Sequence, residues 1–238
     1  MLLDPSKTVR ELALASPNAT RVFEKARIDY CCGGDRLLGD ACEAAGLEIH
    51  QLEQMMKESA DPKRGTIDFQ ELTLVELIRH ILNNHHEFTR HEIARLEVLV
   101  EKVVTAHGQN HAELLAVKSL LGQLFRDLTQ HMFKEEAILF PFVAELEQAA
   151  QQKRPRAYPP FGTVNNPIRV MTMEHDTAGD ILRELRKLTS DYAVPADACA
   201  SYQTLYRSLE ALENDLHQHI HLENNILFPR AIELEAGV

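Results

Sequence analysis

The sequence of 238 residues has no long hydrophobic run, because charged side chains interrupt every apolar stretch well before the roughly 18 residues of a membrane-spanning helix. Its first residues, Met1–Pro5, lack the basic and apolar regions of a secretory signal peptide. We therefore expect no membrane span and a location in the cytoplasm.

Positive charge is also scarce, since 25 Lys and Arg side chains face 36 Asp and Glu, for a formal net charge of −11. No basic patch is present to neutralise phosphates, which argues against nucleic-acid binding. A composition of 45% hydrophobic and 26% charged residues excludes a disordered chain.

Cysteines are few, and two of the four, Cys31 and Cys32, are adjacent. Neighbouring Cα atoms are about 3.8 Å apart, below the lower limit of about 4.4 Å for an ordinary disulfide. The sequence therefore predicts reduced thiols in a reducing compartment and no disulfide framework.

The chain divides into two regions with different helical patterns. Residues 1–62 predict several short helices with few large apolar groups, and the Pro and Gly within 61–65 predict a linker. The rest predicts four long amphipathic helices over 71–106, 110–150, 166–190 and 196–235. We predict an all-α fold, in which an up-down-up-down four-helix bundle over 66–238 follows a small helical domain over 1–62.

The second half of the bundle region repeats the first. Six of eleven positions are identical between the segments that begin at His131 and His219, and both segments contain His-x3-Glu and end in Ile-Leu-Phe-Pro. Upstream, His86-Glu87 corresponds to His175-Asp176 at similar separations of 45 and 44 residues. Two helical hairpins related by a pseudo-two-fold axis would bring these histidines to one level.

Polar residues interrupt the core seams of the second and fourth bundle helices at equivalent places. Steps of three and four along the second helix give Leu114, Val117, Leu121, Leu124, Leu128, His131, Glu135, Ile138 and Phe142. The fourth gives Tyr202, Leu205, Leu209, Leu212, Leu216, His219, Glu223 and Ile226.

Two carboxylates within leucine seams cost on the order of several kcal/mol each unless positive charge pairs with them, and these stretches of seam carry no Lys or Arg. A multivalent cation solves this problem, because His and Glu at i and i+4 point from one helix face. Four imidazoles and two carboxylates exceed the needs of one tetrahedral zinc and suit two ions bridged by both glutamates. Imidazole with carboxylate in a bundle favours iron over manganese. The alternative is a set of ordinary hydrogen-bonded core residues, which the repetition disfavours.

The predicted ligands are therefore His86, His131, Glu135, His175, His219 and Glu223. Periodicity identifies His86 least clearly, because His85 lies on a competing seam. We favour His86 because the second half of the helix follows its phase and because of the parallel with His175. His107 lies 21 residues further on, about 31 Å along a straight helix, and should not reach the same ions.

The two His-x3-Glu motifs with their Ile-Leu-Phe-Pro tails, together with the loop Asp29–Gly34 (Asp-Tyr-Cys-Cys-Gly-Gly), resemble the iron-sulfur cluster repair family. Its members are variously called RIC, YtfE, ScdA or NorA-type di-iron proteins. The first 60 residues resemble the ScdA amino-terminal domain, and the rest resembles the hemerythrin-like bundle.

This resemblance implies two non-haem iron ions, with an oxo or hydroxo bridge, at the six positions named above. It also implies a role in restoring iron-sulfur clusters damaged by nitric oxide or oxidants. Oxygen-carrying hemerythrins use five histidines, whereas only four of the 12 histidines here are predicted ligands. The difference argues against reversible oxygen carriage and leaves room for nitric oxide or for iron release.

Four further residues are candidates for function. Cys31 and Cys32 precede two glycines, which we expect to let the backbone expose both thiols for binding iron or an iron nitrosyl, or for oxidation. The alternative is that one of them packs in a small core. Glu174 and Asp176, beside His175, are expected to orient a ligand ring or to move protons.

Three functions are compatible with these features. The leading hypothesis is a protein that repairs damaged iron-sulfur proteins by donating iron or handling nitric oxide. The second is a hemerythrin-like module that binds or buffers nitric oxide or oxygen, for which the bundle alone should suffice. The third, a nitric oxide reductase, needs an electron donor, and no flavin or nucleotide fingerprint is present. We also expect a homodimer, because the small domain needs a packing surface.

Overall fold

The structure is a computed structural model that describes residues 3–16, 18–59, 67–156 and 158–237. Within these ranges the chain is mostly helical and contains no β-strand, so the predicted all-α fold is confirmed. No helix in the same ranges is long and apolar enough to cross a bilayer. The predicted linker, 61–65, lies outside the described residues, and the limits of the two domains stay a prediction.

The amino-terminal region consists of four short helices. They are α1 (Val9–Ala15), α2 (Ala19–Ala26), α3 (Leu38–Ala44) and α4 (Ile49–Glu58). The first begins with a capping box, in which Thr8 Oγ1 accepts the backbone N–H of Glu11 at 3.1 Å. The small core between the helices includes Val9, Val22, Phe23, Tyr30, Leu38 and Leu52.

Four long helices form the bundle, and three of them contain a π-helical turn. Helix α5 comprises Leu74–His80, the π turn Ile81–His86 and Glu87–His107. Helix α6 comprises Glu113–Lys134, the π turn Glu135–Leu139 and Phe140–Gln152. Helix α7 is Asn165–Leu188, and α8 comprises Ala200–Leu222, the π turn Glu223–Leu227 and Phe228–Ala236. The four helical stretches predicted from the sequence are confirmed to within a few residues.

The bundle core is divided into two apolar parts. One part contains Leu96, Leu121, Leu128, Leu182 and Leu216 among others, and the second contains Leu77, Leu139, Leu146, Ile168 and Leu227. The polar residues that interrupt the seams lie between the two parts in every helix. Apolar packing on both sides therefore holds this polar layer in place.

The π turns change which side chains face the core. Ile138, predicted to lie on the seam, is 47% exposed, whereas its neighbour Leu139 is 1% exposed. A π turn holds more residues than an α turn and so shifts the helix phase beyond Glu135. The prediction for Ile138 was wrong because it assumed regular α geometry.

The amino-terminal region packs against α7 and α8 of its own chain. Arg10 Nε donates to Asn225 Oδ1 at 2.6 Å, and Asn225 Nδ2 donates to the carbonyl oxygen of Tyr30 at 2.9 Å. Glu24 pairs with His217 at 3.1 Å. The small domain thus finds its packing surface within the chain, which removes the reason for expecting a homodimer.

Candidate metal centre

The four bundle helices bring all six predicted ligands into one layer, in which each residue is at most 3% exposed. They form two groups, and the ligand atoms of each group lie within 4.8 Å of one another. The first group consists of His86, Glu135, His219 and Glu223. The second consists of His131, Glu135, His175 and Glu223.

Each glutamate divides its two oxygens between the groups. Glu135 Oε2 lies 3.3 Å from Nε2 of His86, and its Oε1 lies 3.2 Å from Nε2 of His131. Glu223 repeats this arrangement between the other two histidines, at 3.0 and 3.1 Å. Two carboxylates placed in this way are arranged to bridge two cations.

The imidazoles of the first hairpin are held by carboxylates on their outer nitrogens. Nδ1 of His86 lies 2.6 Å from Glu136 Oε1, and Nδ1 of His131 lies 2.9 Å from Glu174 Oε2. The hydrogen bond with His131 lowers the pKa of Glu174 to about 2, so this carboxyl group is ionised. A carboxylate in this position fixes the proton on Nδ1 and turns the Nε2 lone pair inward.

The imidazoles of the second hairpin have no carboxylate on their outer nitrogens, and Nδ1 of His219 has no hydrogen-bond partner among the described residues. Nδ1 of His175 donates to Asn224 Oδ1 at 2.9 Å. The ring of His219 stacks on the ring of His85 with centroids 5.6 Å apart and planes 5° apart. Nδ1 of His85 in turn contacts Asp215 at 3.0 Å.

The inward-facing nitrogens oppose one another at short distances. Nε2 of His131 lies 3.0 Å from Nε2 of His175, and Nε2 of His86 lies 3.1 Å from Nε2 of His219. Two lone pairs so close repel each other unless a proton or a metal ion lies between them. Although burial opposes protonation, the Glu135 carboxylate raises the pKa of His131 to about 10. A metal ion entering this layer therefore displaces protons.

The two buried glutamates have carboxylate oxygens that are free to bind a cation. Apart from the ion-pair contacts with imidazole nitrogens, both oxygens of Glu135 and Oε2 of Glu223 have no hydrogen-bond partner among the described residues. Burying such carboxylates is costly unless positive charge reaches them. Four imidazole nitrogens and four carboxylate oxygens supply four donors to each of two ions. This donor set fits two transition-metal ions with open coordination positions and exceeds the needs of a single zinc.

Geometry favours His86 over its neighbour His85 as the candidate ligand. His86 is fully buried and directs Nε2 into the layer, whereas His85 lies beside it and stacks on His219. Both residues end the same π turn, which explains why two periodicities competed in the sequence.

The side chains that contact the four imidazole rings were predicted only in part from the sequence. Glu174 contacts a ligand ring as predicted, but the exposed Asp176 contacts none of them. Glu136, Asn224 and His85 were missed, although each is the chain neighbour of a predicted ligand. That adjacency is the signal that could have found them, since a side chain next to a ligand faces the adjacent helix.

The cysteine loop differs from expectation. Cys31 is buried, at 5% exposure, and only Cys32 is half-exposed. A hydrogen bond with Cys32 and burial raise the pKa of Cys31 well above its usual range. The prediction that both thiols are exposed was wrong, because the loop packs onto α8, where Asn224 bonds the carbonyl oxygen of Cys31. The backbone N–H groups of both cysteines donate to Asp29 Oδ1, at 3.1 and 3.0 Å. Gly33 serves this close approach, since a Cβ there would lie 3.2 Å from the Asp29 carboxyl group.

The cysteine loop nevertheless lies near the metal layer. Asn224 Nδ2 donates to the carbonyl oxygen of Cys31 at 3.3 Å, while its Oδ1 accepts from His175. A Cβ built on Gly179 of α7 would lie 3.8 Å from Cys32 Sγ. One amide therefore connects the loop to a predicted ligand.

A four-helix bundle with a buried layer of paired His-x3-Glu motifs defines the class of hemerythrin-like cation-binding proteins. Residues 77–231 match the model of the hemerythrin HHE cation binding domain, and residues 5–60 match the ScdA_N model, a domain of unknown function. The chain therefore belongs to the hemerythrin HHE family, in combination with an ScdA_N domain.

The names of similar proteins indicate which type of hemerythrin-like protein this chain resembles. A Haemophilus influenzae protein named "Probable iron-sulfur cluster repair protein" is 35% identical over 93% of this chain and 95% of its own length. Proteins of Yersinia pseudotuberculosis and Yersinia pestis, named "Iron-sulfur cluster repair protein YtfE", are 34% identical over 97% of this chain and 98% of theirs. The family resemblance inferred from the sequence is thereby confirmed.

Proposed function

We propose that this protein restores damaged iron-sulfur clusters, using two non-haem iron ions bridged by Glu135 and Glu223 and by an oxo or hydroxo group. His86 and His219 would hold one ion, and His131 and His175 the other. The observation that carries this proposal is the pair of buried glutamates, whose oxygens point at imidazole nitrogens without other hydrogen-bond donors. The names of the relatives support the repair role.

The chemistry of the donors supports iron release. When bound, the iron would supply exchangeable ions and open coordination positions for nitric oxide or oxygen. Neutral imidazoles release iron more readily than thiolates do. Because Glu174 holds a proton at Nδ1 of His131, it keeps that ring in the tautomer that binds through Nε2.

We further propose that the cysteine pair takes part in transfer. Cys32 is the thiol that a client protein or an iron nitrosyl reaches first, since Cys31 is buried behind it. The two sulfur atoms lie 3.9 Å apart, close enough for both to contact one bound ion. Asn224 would connect the loop to His175, so that movement of the loop affects a ligand ring.

The clients are expected to be iron-sulfur proteins damaged by nitric oxide or oxidants, and the location is expected to be the cytoplasm. A homodimer remains an untested prediction, which sedimentation of the iron-loaded protein would check.

A gas-binding module is the second candidate function, and a small cavity favours it. This cavity of about 20 Å³ adjoins the layer and is lined by His131, His175, His219 and Leu216 among others. Its volume accommodates one water-sized ligand. Binding of nitric oxide or oxygen there would need no cysteine.

Repair assays separate the two functions. Iron analysis with Mössbauer spectroscopy should find two iron ions per chain. The reduced, iron-loaded protein is then mixed with a nitrosylated or apo ferredoxin, and the recovery of the cluster is followed by absorption. We expect recovery with the unmodified protein and loss of recovery with Cys31→Ser/Cys32→Ser, while the matched variant Cys42→Ala remains active. Stoichiometric binding of nitric oxide without cluster recovery would instead support the gas-binding function.

A further inference from the structure

A second cluster of metal-binding side chains lies at the far end of the bundle, about 31 Å along α5 from the metal layer. His107 is the last residue of α5, and His111 follows in the turn before α6. Asp197 and Cys199 lie in the connection between α7 and α8, and Cys199 directly precedes α8. Two imidazoles, a carboxylate and a thiol thus meet where two interhelical connections come together.

The donor atoms are close to one another. One ligand atom from each of His107, His111 and Asp197 lies within 4.8 Å of the other two. Nε2 of His111 is 3.1 Å from both carboxylate oxygens of Asp197. The thiol of Cys199 interacts with the ring of His107 but lies outside this group of three. A tetrahedral zinc ion keeps its donors about 3.3–3.8 Å apart, so a rotation of the Cys199 side chain would have to bring its sulfur into the group around an ion.

The two imidazoles are already oriented. Both rings pack against the buried ring of Tyr202, with centroids 5.2 Å away for His107 and 5.3 Å away for His111. Nδ1 of His111 lies 3.0 Å from Glu113 Oε1, which leaves Nε2 to face the cluster. A carboxylate on the outer nitrogen of a metal-binding histidine is a common feature of zinc sites.

Cys199 would add a sulfur donor to the nitrogen and oxygen donors of the other three residues, because its thiol adjoins the ring of His107. The combination of nitrogen, oxygen and sulfur donors selects a late transition ion over calcium or magnesium, which prefer oxygen alone.

We propose that His107, His111, Asp197 and Cys199 bind one divalent ion of the zinc class, separate from the iron of the metal layer. This ion would join the α5–α6 turn to the connection between α7 and α8. Because it binds the folded state, it would stabilise this end of the bundle according to its concentration.

Cobalt(II) is the probe for this site. The iron-loaded, reduced full-length protein is titrated with Co²⁺ without oxygen. We expect one additional equivalent of cobalt, with a sulfur-to-cobalt charge-transfer band and the visible bands of tetrahedral cobalt, and we expect Zn²⁺ to abolish both. None of the predicted ligands of the metal layer is a thiol, so this band reports a site that contains cysteine.

Matched cysteine variants assign the band. Cys199→Ser should remove the charge-transfer band, and Glu113→Gln should weaken cobalt binding by about tenfold or more. Cys31→Ser/Cys32→Ser should leave the band unchanged, and circular dichroism should show that all variants are folded. The proposal is overturned if the iron-loaded protein binds no additional cobalt, or if the band survives Cys199→Ser.

Discussion

The two hairpins of the bundle, α5–α6 and α7–α8, supply equivalent candidate ligands but surround them differently. In the first hairpin, the carboxylates of Glu136 and Glu174 contact the outer nitrogens of His86 and His131. In the second, no carboxylate contacts the outer nitrogens: an amide bonds His175, and the ring of His219 stacks on the ring of His85. The two hairpins therefore match in their candidate ligands but differ in the side chains that contact those ligands.

The difference in outer contacts occurs once in each of the two groups of candidate ligands. Each group contains one imidazole whose outer nitrogen contacts a carboxylate and one whose outer nitrogen does not. A carboxylate partner makes an imidazole a stronger donor. The histidines of the second hairpin are therefore the weaker donors in both groups, and they also lie on the side where the cysteine loop packs.

The largest effect should follow from changing one of the two glutamates that both groups of candidate ligands use. Glu135→Gln or Glu223→Gln removes a negative charge that both groups use, so we expect each variant to lose both iron ions instead of one. The measurement is iron per chain by elemental analysis after desalting. Glu87→Gln, a matched change at an exposed position next to His86, should retain two. Retention of one iron by Glu135→Gln would show that this glutamate does not bridge.

The outer contacts should matter less, and unequally. Glu136→Gln keeps a hydrogen-bond acceptor near His86 but removes the charge, so we expect iron affinity to fall about 10–100-fold. Asn224→Ala, on the second hairpin, should cost less because His175 loses only a neutral partner. Competition with an iron chelator measures both. An equal or larger loss for Asn224→Ala would contradict the distinction between the hairpins.

Sequence alone located the inner layer because the repeat places His and Glu at equivalent points of two apolar seams. It placed His131, Glu135, His219 and Glu223 without ambiguity, since i, i+4 pairs share a helix face in either geometry. Their role as ligands remains a prediction that metal analysis tests.

The features that could not be predicted from the sequence depend on irregular helix geometry or on contacts between distant parts of the chain. The phase shift that exposes Ile138 comes from a π turn, which periodicity of 3.6 residues cannot represent. Cys31 is buried because the amino-terminal helices pack onto α8, a contact between positions nearly 200 residues apart. The partners of the imidazoles depend in the same way on how neighbouring helices face each other.

A smaller effect is expected at the contact between the amino-terminal region and the second hairpin. Asn225 corresponds to Ala137 of the first hairpin, and it bonds both Arg10 and Tyr30. Asn225→Ala leaves a carbonyl oxygen unpaired, so the packing of the amino-terminal domain should weaken by about 1–2 kcal/mol. Amide hydrogen exchange should accelerate within 18–59 while iron content stays the same. Asn165→Ala, at an exposed asparagine, is the control, and unchanged exchange in Asn225→Ala would contradict the assigned contact.

The smallest effect concerns the stacked pair that takes the place of a carboxylate in the second hairpin. His85→Phe preserves an aromatic face against His219 and should retain iron as well as the unmodified protein does. His85→Ala removes the stacking, which is worth about 0.5–1.5 kcal/mol, and should accelerate iron release about two- to tenfold. Chelator-driven iron release, followed by absorption, measures both. If His85→Phe lost iron as completely as His86→Phe, His85 would be a ligand, and the second hairpin would not have the weaker outer contacts.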